Sequence, residues 1–249
     1  MNARAEKAVA LAPASEVTPR VDLVDWARIS QDLDDRGSAT IGGLLTAAEC
    51  ESVAMLYAVD QMFRSRVVMA RHGFGRGEYK YFAYPLPSIV GSLRAALYPR
   101  LAPVANRWHA AMGMDVQFPE QHADFLERCH AAGQRRPTPL LLQYGLDDYN
   151  CLHQDLYGEI AFPLQAACVL SRHGSDYTGG EFLLTEQRPR MQTRGEAVTI
   201  GRGEFIIFAN RWRPVAGTRG DYRVNMRHGV SRLNSGERYA LGLIFHNAK

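Results

Sequence analysis

Cysteine is scarce, at four residues in 249 (Cys50, Cys129, Cys151 and Cys168), and no two of them form a Cys-x-x-Cys pair. Disulfide frameworks and zinc clusters need tight, repeated spacings, so these four read as reduced thiols of a cytoplasmic protein. Long apolar runs are missing too. Nothing approaches the roughly 18 residues that a membrane span requires. The opening residues 1–20 are Ala-rich, and their apolar piece Ala8-Val-Ala-Leu-Ala12 is too short for a secretory signal. This stretch is expected to be a disordered tail. There is no Gly-x-Ser-x-Gly, and Gly73-x-Gly75-x-Gly77 lacks the strand–helix setting of a dinucleotide loop. No internal repeat or low-complexity linker is visible.

What remains is an ordinary soluble composition, 46% hydrophobic and 22% charged with a net charge of +3. It allows a sizeable core without staples and one domain over residues 21–249. Charge is unevenly spread. Between Arg188 and Arg238 there are eleven arginines against four acids (Glu196, Glu204, Asp221 and Glu237). Such a half can attract a polyanion or be an ordinary solvated surface, and both readings stand.

Residues 21–137 read as helical support. Leu23, Trp26, Ile29 and Leu33 form a helical stripe ended by Gly37, and a strand Ser38–Leu45 follows. Thr46-Ala-Ala-Glu49 is a capping-box pattern opening a second helix. Ser88–Met112 and Glu120–Ala132 are two more helices, the first interrupted near Pro99 and Pro103, and His109, His122 and His130 on them are taken as structural. From 64 to 87, Arg64, Arg66, Arg71, His72, Arg76 and Lys80 interleave with Phe63, Phe74, Tyr79, Tyr81, Phe82 and Tyr84 around three glycines. Aromatics stack on bases and cations meet phosphates, so one reading is a substrate lid. The other is a β-hairpin with buried rings and solvated cations.

Residues 138–247 carry eight short apolar segments: Thr138–Tyr144, Cys151–Asp155, Phe162–Leu170, Gly180–Thr185, Ala197–Ile200, Glu204–Ala209, Asn225–Leu233 and Tyr239–His246. Strands this short, with turn residues between them, indicate a mainly β fold with flanking helices, its core a jelly roll or double-stranded β-helix. On a strand, residues i and i+2 share a face, so His153 and Asp155 present an imidazole and a carboxylate to one point. His228 is the candidate third ligand. Two His and one carboxylate on one face of an octahedron leave three positions open, the arrangement of non-haem Fe(II) oxygenases. Arg238, ten residues later, can hold a carboxylate bidentately. Zinc or manganese also suits such a set, but a carboxylate clamp has no obvious duty in a simple zinc hydrolase.

His153-x-Asp155, the distal His228, Arg238 and the intervening Gly179-Gly-Glu-Phe182 resemble the iron(II)- and 2-oxoglutarate-dependent dioxygenases. The surrounding sequence, Asn150 to Glu159 and Arg227 to Arg238, is similar to a bacterial subfamily described as oxygenases for alkylation-damaged DNA, AlkB-like by analogy. The resemblance implies Fe(II) at His153, Asp155 and His228, with 2-oxoglutarate and O₂ as co-substrates. It places Arg238 and Tyr144 on the distal carboxylate of 2-oxoglutarate, with Asn150 and Arg232 near its pocket. The substrate it implies is alkylated single-stranded nucleic acid, dealkylated by hydroxylation of the N-alkyl carbon. A protein side chain or a small metabolite on the same scaffold is the alternative, and a non-catalytic binding module a third. Lesion type, strand preference and oligomeric state are left open by the residues.

Overall fold

Two antiparallel sheets face each other across the site described below. The structure, a computed structural model, describes residues 17–218 and 220–249. Its helices are α1 (Val17–Asp22), α2 (Trp26–Arg36), α3 (Ala47–Met55), α4 (Ser88–Ala111) and α5 (His122–Ala131). The first strands are β1 (Ser38–Ile41), β2 (Phe63–Val68), β3 (Gly75–Arg76), β4 (Glu78–Phe82), β5 (Leu140–Tyr144), β6 (Tyr149–His153) and β7 (Leu164–Val169). After them come β8 (Tyr177–Gly179), β9 (Phe182–Gln187), β10 (Arg194–Val198), β11 (Phe205–Ala209), β12 (Trp212–Gly217), β13 (Gly220–Val230), β14 (Leu233–Gly236) and β15 (Arg238–Ile244). The major sheet runs β1-β11-β7-β15-β5-β4-β2. The minor one runs β10-β9-β13-β6-β3, with β12 paired on β13. This is the expected mainly β jelly-roll architecture.

The two sheets are made by different sequence patterns for a physical reason. In the major sheet, Leu164, Ala166, Cys168, Phe205, Ile207, Leu241 and Leu243 pack under the helices, while Ile206, Phe208, Ala167 and Val169 face the interior. Both faces are covered, so β7 and β11 read as near-continuous apolar runs. The minor sheet is covered on one side only. Along β9, Phe182, Leu184 and Glu186 are buried and the residues between them are half-buried, giving the alternation of a one-sided sheet.

Several expectations change in detail. The tail expected for residues 1–20 lies outside the described residues up to 16. Residues 17–20 instead belong to α1, whose Val17 and Val21 are buried in the core. The Thr46–Glu49 capping box is formed in both directions, and Glu49 also takes a bidentate pair from Arg20. α4 is one helix through Pro99 and Pro103. A face of Leu93, Leu97, Leu101, Val104 and Trp108, all buried, outweighs the two lost amide hydrogen bonds. The strand expected over Asn225–Leu233 begins earlier, at Gly220, and breaks after Val230. Its partner β12, which contains Pro214, was not anticipated.

The arginine-rich half is not one patch. Arg188 and Arg213 share the buried Glu186, Arg202 pairs with Glu51 and Arg194 with Glu196. Arg223 donates to the Met112 carbonyl and Arg211 lies over the Trp212 ring. Arg213 also donates to the carbonyls of Asp34 and Asp35, filling the orphan acceptors at the end of α2.

Arg94, on α4, is fully buried and donates to the carbonyls of Ile244, Phe245 and His246 at 2.9–3.0 Å, fixing the end of β15 to the helical layer. His122 and His246 flank this charge. Burial, reinforced by Arg94, pushes the His122 imidazole down to about 3 and that of His246 to about 4. Both are neutral in the folded chain. In the unfolded chain they protonate near 6.5, so the unfolded state binds more protons as pH falls below that value. The stability they supply is complete above about pH 6.5 and drains as pH drops toward the folded values. Two such groups give a loss of up to about 2.7 kcal/mol per pH unit between roughly pH 6 and 4. Denaturant titrations at pH 7.5, 6 and 5 measure it, and a flat profile over that range would contradict the assignment. Among the described residues, no helix is long and apolar enough to cross a membrane.

Candidate active site

The site grows from the pairing of β6 with β13. Their register sets His153 directly opposite His228, and it shifts between His228 and Val230. Gly229 permits this bulge: a Cβ there would lie 2.7 Å from the Asn150 carbonyl oxygen. β6 ends at His153, two residues earlier than expected, so Asp155 lies beyond the strand. Other contacts hold it there. The Asp155 amide donates to Asn210 Oδ1 at 2.8 Å, and the Asn210 side chain donates back to the Asp155 carbonyl. Between the two ligands, Gln154 donates to Asn225 Oδ1 at 2.6 Å and to the Met226 carbonyl at 2.7 Å.

The three side chains converge. His228 Nε2 is 3.3 Å from Asp155 Oδ2, and His153 Nε2 is 3.6 Å from Asp155 Oδ1. The imidazole centroids are 4.2 Å apart, and one donor atom from each residue falls within 4.8 Å of the others. His153 Nδ1 lies 2.8 Å from the Cys151 carbonyl oxygen, which fixes the proton on Nδ1 and turns the Nε2 lone pair toward the cluster. His228 packs against Phe208 at 4.6 Å between ring centroids, with Phe182 beyond at 6.0 Å. Burial, and then the neighbouring His153, push its pKa below the ordinary histidine value, toward the neutral form that ligates. For Asp155, burial opposes ionisation. The contact with His228, the charge of both imidazoles and the Tyr157 hydroxyl outweigh it and hold the carboxyl below its usual range.

The cluster opens onto a cavity of about 390 Å³. Its floor is the inner face of the major sheet, where Ala167, Ala240 and Gly242 leave room. Arg238 opens β15 in register with Tyr144 of β5, and both reach into the cavity. Arg238 is 3% exposed, yet among the described residues it forms no ion pair, and its Nε has no hydrogen-bond partner. Its guanidinium lies 5.6 Å from the Tyr144 ring and 5.9 Å from the Tyr177 ring. The Tyr144 hydroxyl, the Gln165 amide nitrogen and His228 Nδ1 are likewise buried without partners around this cavity. Buried polar atoms are nearly always satisfied, so four orphans on one cavity mark the place of a polar ligand. An orphan guanidinium calls for an anion, and two imidazoles with a carboxylate suit a divalent metal with open positions.

Of the seven candidate residues, six line this cavity: His153, Asp155, His228, Arg238, Tyr144 and Asn150. Arg232 does not. It follows the end of β13, its side chain is 68% exposed, and it lies 3.6 Å from Asp147 on the surface. Residues 64–87 divide. Tyr81, Phe82 and Lys80 are buried, and Arg66 pairs with Glu78, as in a structural hairpin. Tyr79 lines the cavity from β4, and the tip reaches the mouth. There β3 pairs with β6, and Gly75, at φ +126°, allows an approach in which a Cβ would sit 2.3 Å from the Tyr149 carbonyl oxygen. Phe74 stands exposed at the entrance against His72, with Arg71 and Arg76 beside it and the exposed Leu152 and Leu156 across from it. Tyr157, Gln165, Asn210 and Gln154 were not foreseen. Of these, Tyr157 alone had a spacing signal, two residues past Asp155.

A two-sheet jelly roll with a His-Asp-His cluster and a buried, unpaired arginine in one cavity defines a non-haem metal oxygenase scaffold. Residues 77–248 match the family described as "Oxygenase, catalysing oxidative methylation of damaged DNA", and the chain belongs to that family. Two uncharacterized proteins of Mycobacterium tuberculosis, from strains CDC 1551 and H37Rv, are each 52% identical over 167 residues, 67% of this chain and 72% of theirs. Among solved structures, a prolyl hydroxylase of Trichoplax adhaerens superposes with a TM-score of 0.58 at 13% identity, over 92% of this chain and 91% of that one. A Pseudomonas putida prolyl-4-hydroxylase gives 0.53 at 14%, over 90% and 99%. An oxidoreductase of the 2OG-Fe(II) oxygenase family from Burkholderia pseudomallei gives 0.52 at 14%, over 91% and 93%. At these identities the likeness is one of fold. Family membership together with the His-Asp-His cluster makes the chain an oxygenase of the Fe(II)- and 2-oxoglutarate-dependent class, with O₂ as oxidant.

Proposed function

We propose that this enzyme hydroxylates N-alkyl carbons of damaged nucleic acid, as one catalytic domain over residues 21–249 in the cytoplasm. The observation that carries the substrate is membership of a family described as acting on damaged DNA. The exposed Phe74 with Arg71 and Arg76 at the mouth adds a stacking surface and phosphate partners.

In this reading His153, Asp155 and His228 hold Fe(II). When bound, the iron couples decarboxylation of 2-oxoglutarate to succinate with insertion of one oxygen atom of O₂ into a C–H bond. The remaining work is done by side chains. Arg238 anchors the distal carboxylate of 2-oxoglutarate through its planar fork, and the Tyr144 hydroxyl donates to the same group. Burial pushes the Tyr144 phenol far above its ordinary value, so it keeps the proton it donates. Asn150 offers its amide from the cavity wall. Ala167, Ala240 and Gly242 leave the floor shallow enough for a slender diacid to lie between Arg238 and the cluster. Phe182, Phe208 and Val230 exclude water from the reacting carbon. Hydroxylation at a carbon bonded to nitrogen gives a hemiaminal, which breaks to an aldehyde and the restored base.

The test offers methylated single-stranded oligonucleotides to the iron-loaded protein with 2-oxoglutarate and ascorbate. Formaldehyde is expected in step with succinate, with oligonucleotide binding that weakens as salt rises. Arg71→Ala with Arg76→Ala is expected to raise the KM for the oligonucleotide about tenfold at 0.1 M salt, two phosphate contacts being lost. Succinate released with a peptide or metabolite, but with no methylated oligonucleotide, would move the substrate away from nucleic acid.

A further inference from the structure

We propose that a chain of two hydroxyls, Tyr81 to Tyr157 to Asp155, decides which oxygen of Asp155 faces the metal. Tyr157 is thus a positioning residue for the metal ligand. The inference rests on the ligand assignment above and adds to it a residue of the cavity wall that acts on the metal through its ligand.

The chain has a direction. The Tyr157 hydroxyl donates to Asp155 Oδ1 at 2.5 Å, and the Tyr81 hydroxyl donates to the Tyr157 oxygen at 2.9 Å. An ionised carboxylate only accepts, so the single phenolic proton of Tyr157 must go to Asp155, which leaves its lone pairs for Tyr81. The inner bond is of the short charge-assisted kind, and a donor feeding its donor strengthens it further. The reverse orientation would take the phenolic proton away from Oδ1.

The geometry around the carboxylate shows what this bond controls. The Asp155 backbone is already fixed at both ends by Asn210. The freedom left is rotation of the carboxylate about its last bond. Tyr157 removes it by hydrogen-bonding Oδ1, which also lies 3.6 Å from His153 Nε2, while the unbonded Oδ2 looks toward His228 Nε2 at 3.3 Å. A carboxylate so held would offer a metal one oxygen, leaving the other on Tyr157. Released, it can turn or bind through both oxygens. The two tyrosines are themselves braced. Their rings meet edge to face at 6.1 Å, Tyr157 lies against the His246 ring at 6.1 Å, and the Arg64 guanidinium covers Tyr81 at 4.4 Å. Tyr81 sits on β4, in the segment that carries the mouth residues. The metal ligand is therefore supported from the element that also shapes the entrance.

The experiment is Tyr157→Phe, which keeps the ring and its packing and removes only the hydroxyl. Titration with Mn(II) is expected to show about 10–100-fold weaker binding, the usual cost of losing a partner of a ligating group. The Co(II)-loaded variant is expected to show visible bands shifted in position and intensity from wild type, because the coordination itself changes. A merely structural hydroxyl would lower the thermal midpoint and leave those bands where they are. Tyr81→Phe, which strips only the outer donor, is expected to weaken Mn(II) binding about threefold, less than a direct partner. It decides the matter if Tyr157→Phe fails to fold. Unchanged Mn(II) affinity and unchanged Co(II) bands, in a protein whose wild type binds one metal, would overturn the proposal. Wild type that binds no metal would instead overturn the ligand assignment beneath it.

Discussion

Asp155→Asn is expected to reduce 2-oxoglutarate turnover to background while leaving the metal-free fold intact. The amide keeps the size of the carboxylate and can still accept from Tyr157, so packing around it is preserved. What disappears is the single anionic ligand between two neutral imidazoles. Four-ligand structural zinc sites contribute about 10–16 kcal/mol, so one protein ligand is worth roughly 3 kcal/mol, on the order of a hundredfold in affinity. In metal-free wild type the ionised carboxylate is favoured by His228, His153 and Tyr157, so the neutral variant is expected to melt somewhat lower while remaining folded. His153→Ala is expected to give the same loss with less structural risk, its side chain being 34% exposed. Mn(II) calorimetry and succinate assays read the two halves of the prediction separately. Succinate at the wild-type rate from either variant would remove these residues from the metal.

The sequence disclosed this centre because metal ligation restricts residue type and spacing together. His153-x-Asp155, a distal His228 and a cation ten residues later form a pattern that survives any uncertainty about strand ends. Indeed β6 stops at His153, and Asp155 still reaches the cluster, since Asn210 supplies the positioning that a continued strand would have given. Residues whose roles depend on which distant strands pair gave no such signal. Gln165 lies in Leu-Gln-Ala-Ala-Cys-Val, a run buried on both faces, where nothing local says which side chains look at helices and which at a ligand. Asn210 is 55 residues from the group it holds, and Tyr157 meets Tyr81 across 76 residues. The β12–β13 hairpin was hidden for another reason. Its buried Arg213 reads as a surface charge until Glu186 and the carbonyls ending α2 are known to surround it. Arginine count alone therefore overstated a polyanion surface, because much of that charge is committed to internal partners.

Arg238→Met is expected to move two observables in opposite directions. In the ligand-free protein Arg238 is a buried cation without an ion pair among the described residues, eased by two aromatic faces and by the more distant Glu181 charge. An uncompensated buried charge costs several kcal/mol, and an apolar side chain of similar volume often restores stability. The variant without ligand is therefore expected to melt at or above the wild-type temperature. Its affinity for 2-oxoglutarate is expected to fall by about 10²–10³-fold, since losing one member of a buried charge pair costs roughly 2–5 kcal/mol and each 1.4 kcal/mol is tenfold. Mn(II) affinity should not change, because Arg238 is not among the clustered donors. Lysine at this position keeps the charge but not the planar fork, and an intermediate loss of about tenfold is expected. Adding 2-oxoglutarate at 100 times the wild-type Kd should stabilise wild type by about 2.7 kcal/mol and Arg238→Met by no more than about 0.4 kcal/mol. A variant that still takes up 2-oxoglutarate at the wild-type level would make Arg238 a structural cation and place the diacid's anchor elsewhere in the cavity.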